Sequence, residues 1–170
     1  RPEGVACASA RSLRRMSAWR YTSVDEALPV AKQIAEALEA AHEQRGIHRD
    51  LKPANIFVRE DGEPVILDWG FAGGRGSRCG ADQEITGTPE YMAPEQAAGK
   101  PVDARCDLFS LGCVLYRMCT GRLPFTGTDT ISTLMAVSTE NPPAPAEIDH
   151  DLPAALSELV MHLLAKKPEE

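Results

Sequence analysis

From Asp103 to Thr120 the chain places Leu108, Leu111, Val114, Leu115 and Met118 at helical spacing, with Cys106, Cys113 and Cys119 among them, and Gly121 closes the run. A helix that is apolar nearly all round has no face to give to water, so it must sit at the centre of a core with other elements packed on several sides. One domain of 170 residues supplies enough chain to surround it. With 43% hydrophobic and 25% charged residues the composition is that of an ordinary folded chain, which excludes wholesale disorder and fibrous classes.

The remaining pattern is helix-dominated with one hairpin. Ser23-Val24-Asp25-Glu26 has the form of a capping box, and Leu28, Ala31, Ile34, Ala35, Leu38 and Ala41 follow at three- and four-residue steps to about Arg45, where Gly46 ends the helix. Pro29 is expected to kink or delay its first turn. Ile56-Phe57-Val58 and Val65-Ile66-Leu67, separated by a turn containing Asp61-Gly62, read as the hairpin. Further helices are expected over about 129–138 and 153–166. Residues 1–22 show no clean period, although Leu13 and Met16 fit a short docking helix. Between Gly70 and Gly87 the chain is Gly-rich and polar, as in a long functional loop.

Charge and cysteine usage narrow the function classes. A formal net charge of -7 argues against a broad nucleic-acid surface, and Arg11, Arg14 and Arg15 read as a solvated local run. The five cysteines are odd in number, form no Cys-x-x-Cys pair, and read as free thiols in a reducing cytoplasm. No apolar run approaches the roughly 18–20 residues of a membrane-spanning helix, so no membrane contact is expected within these residues.

Between the first helix and the hairpin stands His48-Arg49-Asp50-Leu51-Lys52-Pro53-Ala54-Asn55, which puts an acid, a base and an amide on one turn. Phosphoryl transfer needs that set: a carboxylate to orient a hydroxyl and take its proton, a cation for the phosphoryl oxygens, and an oxygen ligand for Mg²⁺. Asp50, Lys52 and Asn55 supply them in order. Asp68-Trp69-Gly70 adds a carboxylate at the end of the second strand, where a hard cation bridging nucleotide phosphates can be held. Gly73 to Ser77 lacks the Gly-Lys-Ser/Thr ending of a phosphate-binding loop and reads as part of the flexible segment.

These motifs, in this order, resemble the bacterial eukaryotic-like serine/threonine protein kinase family. His48 to Asn55 is similar to its catalytic loop, Asp68-Trp69-Gly70 to its metal-binding triplet, Gly87 to Glu95 to the end of its activation segment, and Asp103 to Phe125 to its central helix and exit. The resemblance implies a mainly α fold with a small β-hairpin, the C-terminal lobe of the kinase domain in the α+β class. Its parts are a lead-in at 1–22, the catalytic loop at 48–55, the activation segment at 68–95 and the central helix at 103–120.

The same resemblance implies residue roles. Asp50 is the expected catalytic base, with Lys52 on the transferred phosphate and Thr88 bridging the two when a Ser or Thr substrate docks. Asn55 and Asp68 are the expected ligands for Mg²⁺ or Mn²⁺ with ATP. Arg49 is expected to pair with a phosphorylated activation loop, for which Ser77 and Thr86 are the candidate sites. His48, Glu95 and Asp107 are expected to be structural, Asp107 by hydrogen-bonding the catalytic-loop backbone and Glu95 by pairing with an arginine beyond Glu170. Trp69 stands where the family usually has Phe. The Gly-rich loop and the lysine–glutamate pair that grip ATP do not occur in the 170 residues, so this lobe alone is expected to be inactive. The expected activity of the intact protein is ATP-dependent phosphorylation of protein Ser/Thr hydroxyls. A binding scaffold and a small-molecule phosphotransferase are the competing classes; the first is disfavoured by intact Asp50, Lys52, Asn55 and Asp68, the second by the Thr88 to Glu95 segment.

Overall fold

In chain order the elements are strand β1 (Arg14–Arg15), helix α1 (Val24–Glu43), strands β2 (Ile56–Val58) and β3 (Pro64–Ile66), and helices α2 (Pro94–Ala97), α3 (Arg105–Thr120), α4 (Thr130–Thr139), α5 (Pro145–Ile148) and α6 (Ala154–Leu163). They come from a computed structural model that describes residues 14–15, 24–69 and 88–169. Ser23, Ser77 and Thr86 lie outside the described residues, as do Leu13 and Met16.

Helix α3 occupies the position its composition requires. Cys106, Phe109, Leu111, Cys113, Val114, Leu115 and Tyr116 are all buried, and α1, α5 and α6 pack around it. Gly112 sets the approach of α6: a Cβ there would stand 2.8 Å from Leu163 Cβ and 3.2 Å from Leu164 Cδ2. Gly121, at φ 70°, takes the left-handed conformation that ends the helix and donates its N–H to the Arg117 carbonyl. Leu108 departs from the expected pattern, being 38% exposed at the lip of a groove between α1 and α3.

Helix α1 buries Ala27, Val30, Ala31, Ile34 and Leu38 against this core. Leu28 does not join them and is 43% exposed; at about 100° per residue it lies well off the face centred on Ile34. Pro29 sits inside the helix without ending it, since so near the N-terminus its missing N–H costs one early intrahelical bond. The helix closes one residue earlier than Gly46 suggests. Arg45 takes the left-handed conformation at φ 60°, and Gly46 donates to the Ala41 carbonyl at 2.9 Å. Glycine at 46 eases a close approach, because a Cβ there would lie 3.2 Å from that same oxygen.

Strands β2 and β3 form the antiparallel hairpin with Ile56 opposite Ile66, Phe57 opposite Val65 and Val58 opposite Pro64, so the second strand starts one residue before the expected Val65. Gly62, at φ 89°, makes the turn. Within the lead-in, Arg14 and Arg15 are extended and pair with Val58 and Phe57, giving a three-stranded sheet in the order β1-β2-β3. Backbone donors and acceptors on the free edge of β2 explain this, since they take a further strand whatever its side chains.

Candidate active site

The loop from His48 to Asn55 is held from below by one carboxylate. Asp107, wholly buried in the first turn of α3, accepts the His48 N–H on Oδ2 at 2.8 Å and the Arg49 N–H on Oδ1 at 2.7 Å. His42, in the last turn of α1, donates from Nε2 to the same Oδ2 at 2.8 Å. Arg49 is thereby kept in the left-handed region at φ 67°, a conformation that costs a non-glycine residue about 1–3 kcal/mol and persists only where the surroundings enforce it.

His48 is buried and its ring is used on both sides. Nε2 donates to the Leu67 carbonyl at 3.0 Å, and Nδ1 accepts the Asp50 N–H at 3.2 Å. These partners require the neutral tautomer with its proton on Nε2. Trp69 packs on this ring with centroids 5.0 Å apart and donates Nε1–H to the Ile66 carbonyl at 3.0 Å. The indole therefore has a hydrogen bond that a phenyl ring at that position could not make.

Above this base, polar side chains converge. Lys52 Nζ stands 2.7 Å from Asp50 Oδ2 and donates to Thr88 Oγ1 at 2.8 Å. Asn55, on the short turn Pro53–Asn55, donates Nδ2–H to the Asp50 carbonyl at 2.9 Å and to Asp50 Oδ2 at 3.3 Å. The Asn55 amide nitrogen thus faces Asp50, and its Oδ1 is the atom able to ligate a cation. The Leu67 N–H donates to the Asn55 carbonyl at 2.8 Å, which brings the end of β3 beside this turn. Asp68 follows at once, exposed and at φ 58°, and among the described residues its carboxylate makes no hydrogen bond with the other three.

The segment from Thr88 to Glu95 is fastened to α3 through Tyr91. Ser110 donates to the Tyr91 carbonyl at 2.7 Å, and Arg117 donates to the Tyr91 hydroxyl at 2.7 Å. Burial raises the Tyr91 pKa and the Arg117 bond works against that rise. Gln96 ties the segment to the loop from His48 to Asn55, accepting the Ala93 N–H at 3.0 Å and donating to the Arg49 carbonyl at 2.9 Å. Glu95 faces a small cleft also lined by Arg105, His162 and Lys167. Arg49 itself is exposed.

Two residues in this network have no counterpart among the motifs. His42 acts on a partner 65 positions away and Gln96 on one 47 away; neither separation leaves a local pattern in the sequence. No group of three or more His, Cys, Asp or Glu with metal-binding geometry occurs among the described residues.

A family model described as the protein kinase domain matches residues 6–170, and the chain belongs to that family. The serine/threonine-protein kinase Pkn1 of Myxococcus xanthus is 41% identical over 163 residues, which cover 91% of this chain and 24% of that protein. For PksC of Streptomyces coelicolor the identity is 38% over 149 residues, 86% of this chain and 27% of that protein. PknB of Mycobacterium tuberculosis is 39% identical over 146 residues, 84% of this chain and 23% of that protein. The chain thus spans about a quarter of the length of the curated relatives it matches. The family uses ATP and a divalent metal in general.

Proposed function

We propose that residues 1–170 form the C-terminal lobe of a serine/threonine protein kinase domain, and that the protein containing them moves the γ-phosphoryl group of ATP to Ser or Thr hydroxyls of proteins. The observation that carries this reading is Lys52 Nζ lying between Asp50 Oδ2 and Thr88 Oγ1, with Asn55 bonded to the same carboxylate. Asp50 accepts the proton of the attacking hydroxyl while the new P–O bond forms and the bond to ADP breaks. Lys52 places positive charge beside the transferred phosphoryl oxygens. Thr88 holds the lysine and the incoming hydroxyl in one arrangement.

Asn55 Oδ1 and the exposed Asp68 carboxylate suit a hard divalent cation, and they would hold it; when bound it neutralises phosphate charge. Arg49 is read as the partner of a phosphate on Ser77 or Thr86. His48 and Asp107 support the loop. Glu95 supports the docking segment from its basic cleft. Protein Ser/Thr substrates, rather than small alcohols, are favoured by the fastening of Thr88 to Glu95 onto α3 through Tyr91. No described helix is long and apolar enough to cross a membrane, and the buried cysteines Cys106 and Cys113 suit a reducing cytoplasm.

Residues 1–170 alone are expected to bind ATP weakly and not to turn over, and autophosphorylation by them would contradict that. The reading itself is tested by incubating the full-length protein with labelled ATP, Mg²⁺ and Ser-, Thr- and Tyr-containing peptides. Label on Ser or Thr supports it. Label only on small alcohols, or ATP binding without transfer to any acceptor, overturns it.

A further inference from the structure

We propose that Gln96 is a positioning residue that ties the substrate-docking segment to the aspartate of the catalytic loop; the inference rests on the kinase reading above. Its amide makes one bond to each side. Oε1 accepts the Ala93 N–H at 3.0 Å, and Nε2 donates to the Arg49 carbonyl at 2.9 Å.

The Arg49 carbonyl belongs to the same peptide plane as the Asp50 N–H, and that N–H donates to His48 Nδ1 at 3.2 Å. The plane is therefore pinned at both its polar atoms, the oxygen by Gln96 and the nitrogen by His48. Together with rotation about the Asp50 N–Cα bond, its orientation sets the direction in which Cα–Cβ of Asp50 leaves the backbone. Arg49 on the other side of the plane is left-handed, at φ 67°, so this peptide borders a conformation with a nearby, less costly alternative. Asp107 holds the two preceding N–H groups, of His48 at 2.8 Å and Arg49 at 2.7 Å, and neither polar atom of this plane. Gln96 is the group on the docking segment that holds the carbonyl.

Two ties then join the docking segment to the reactive loop: Thr88 to Lys52 through side chains, and Gln96 to the Arg49–Asp50 peptide. Together they place the hydroxyl of a docked peptide and the carboxylate that receives its proton in one frame. Misplacement of a reacting group by about 1 Å can cost a factor of order 10² in rate.

The Gln96→Glu substitution separates this role from local support of α2, because a carboxylate still accepts the Ala93 N–H but cannot donate to the Arg49 carbonyl. The Gln96→Leu substitution removes both bonds. In the full-length protein, both are expected to lower kcat for a Ser/Thr peptide roughly 10- to 100-fold, with KM for ATP nearly unchanged. Amide hydrogen exchange on the same proteins supplies a readout independent of activity: in Gln96→Glu the Asp50 amide exchanges faster while the Ala93 amide keeps its protection. Wild-type kcat in Gln96→Glu, or unchanged exchange at Asp50 in both variants, overturns the proposal. Absence of peptide phosphorylation by the unsubstituted protein defeats the kinase reading instead, and the exchange arm still decides whether Gln96 holds this peptide.

Discussion

Lys52 Nζ lies 2.7 Å from Asp50 Oδ2, and the same nitrogen donates to Thr88 Oγ1 at 2.8 Å. A compact ammonium with three donors serves two oxygens in different directions, which a planar guanidinium does less well. In the full-length protein Lys52→Ala is expected to reduce kcat by about 10²-fold or more, and Lys52→Arg is expected to recover only part of it. Steady-state kinetics with a Ser/Thr peptide measure both; an arginine variant with unsubstituted kcat contradicts the two-oxygen role.

Asp107 gathers the His48 and Arg49 amides and the His42 ring on one buried carboxylate. Replacing it by alanine leaves those donors without their acceptor, at a cost of about 1–3 kcal/mol for each group left buried and unpaired. Urea unfolding is expected to show Asp107→Ala strongly destabilised and Asp107→Asn less so, since asparagine retains one acceptor oxygen. Equal midpoints for Asp107→Ala and the unsubstituted chain contradict this account.

The contact between α3 and α6 depends on hydrogen at position 112. Alanine improves helix propensity there, yet its methyl meets Leu163 Cβ at 2.8 Å and the Leu163 backbone carbonyl carbon at 3.3 Å. Overpacking of this kind costs about 1–3 kcal/mol, more than the propensity gain of about 1 kcal/mol. Gly112→Ala is therefore expected to lower the melting temperature, and a rise would show that α6 shifts freely.

Lys166 stands over the Phe125 ring at 3.7 Å from its centroid and donates to the Val137 carbonyl at 2.7 Å. Burial pushes its pKa down to about 8 from an ordinary 10.5, with Cys113 and Glu140 acting in the opposite direction. Between those two values the unfolded chain holds more protons than the folded one, so this group makes stability rise with pH across that window. The thiols of Cys106 and Cys113 act oppositely, because burial raises their pKa above an ordinary 9.0 and stability falls as the unfolded thiols ionise. Unfolding free energies compared between the unsubstituted chain and Lys166→Met isolate the lysine. The difference is expected to move in favour of the unsubstituted chain from pH 8 towards 10.5; parallel profiles contradict it.

Much of the candidate site was legible because its chemistry-bearing residues are contiguous. Asp50, Lys52 and Asn55 fall within one short run, and Asp68 follows at the end of a hairpin whose Asp-Gly turn is plain. The central helix was readable for the same reason, its periodicity being internal to the segment. What escaped depends on distance or on backbone. His42 and Gln96 work through partners far along the chain, and β1 exists because β2 has a free edge, not because Arg14 and Arg15 favour a strand. Leu28 and Leu108 look like core residues by composition, yet only rotation about their helices decides which face they occupy. Arg45 rather than Gly46 carries the left-handed turn, while the glycine serves its close contact with Ala41.

The measurement that bears most directly on the account is transfer of the γ-phosphoryl group of ATP to a Ser/Thr peptide by the full-length protein, set beside its Asp50→Asn variant. The variant is expected to keep its fold and its affinity for ATP with Mg²⁺ while kcat falls by roughly 10²- to 10⁴-fold, the range for loss of a general base. A variant that transfers phosphate as fast as the unsubstituted protein would contradict the placement of the reaction at Asp50.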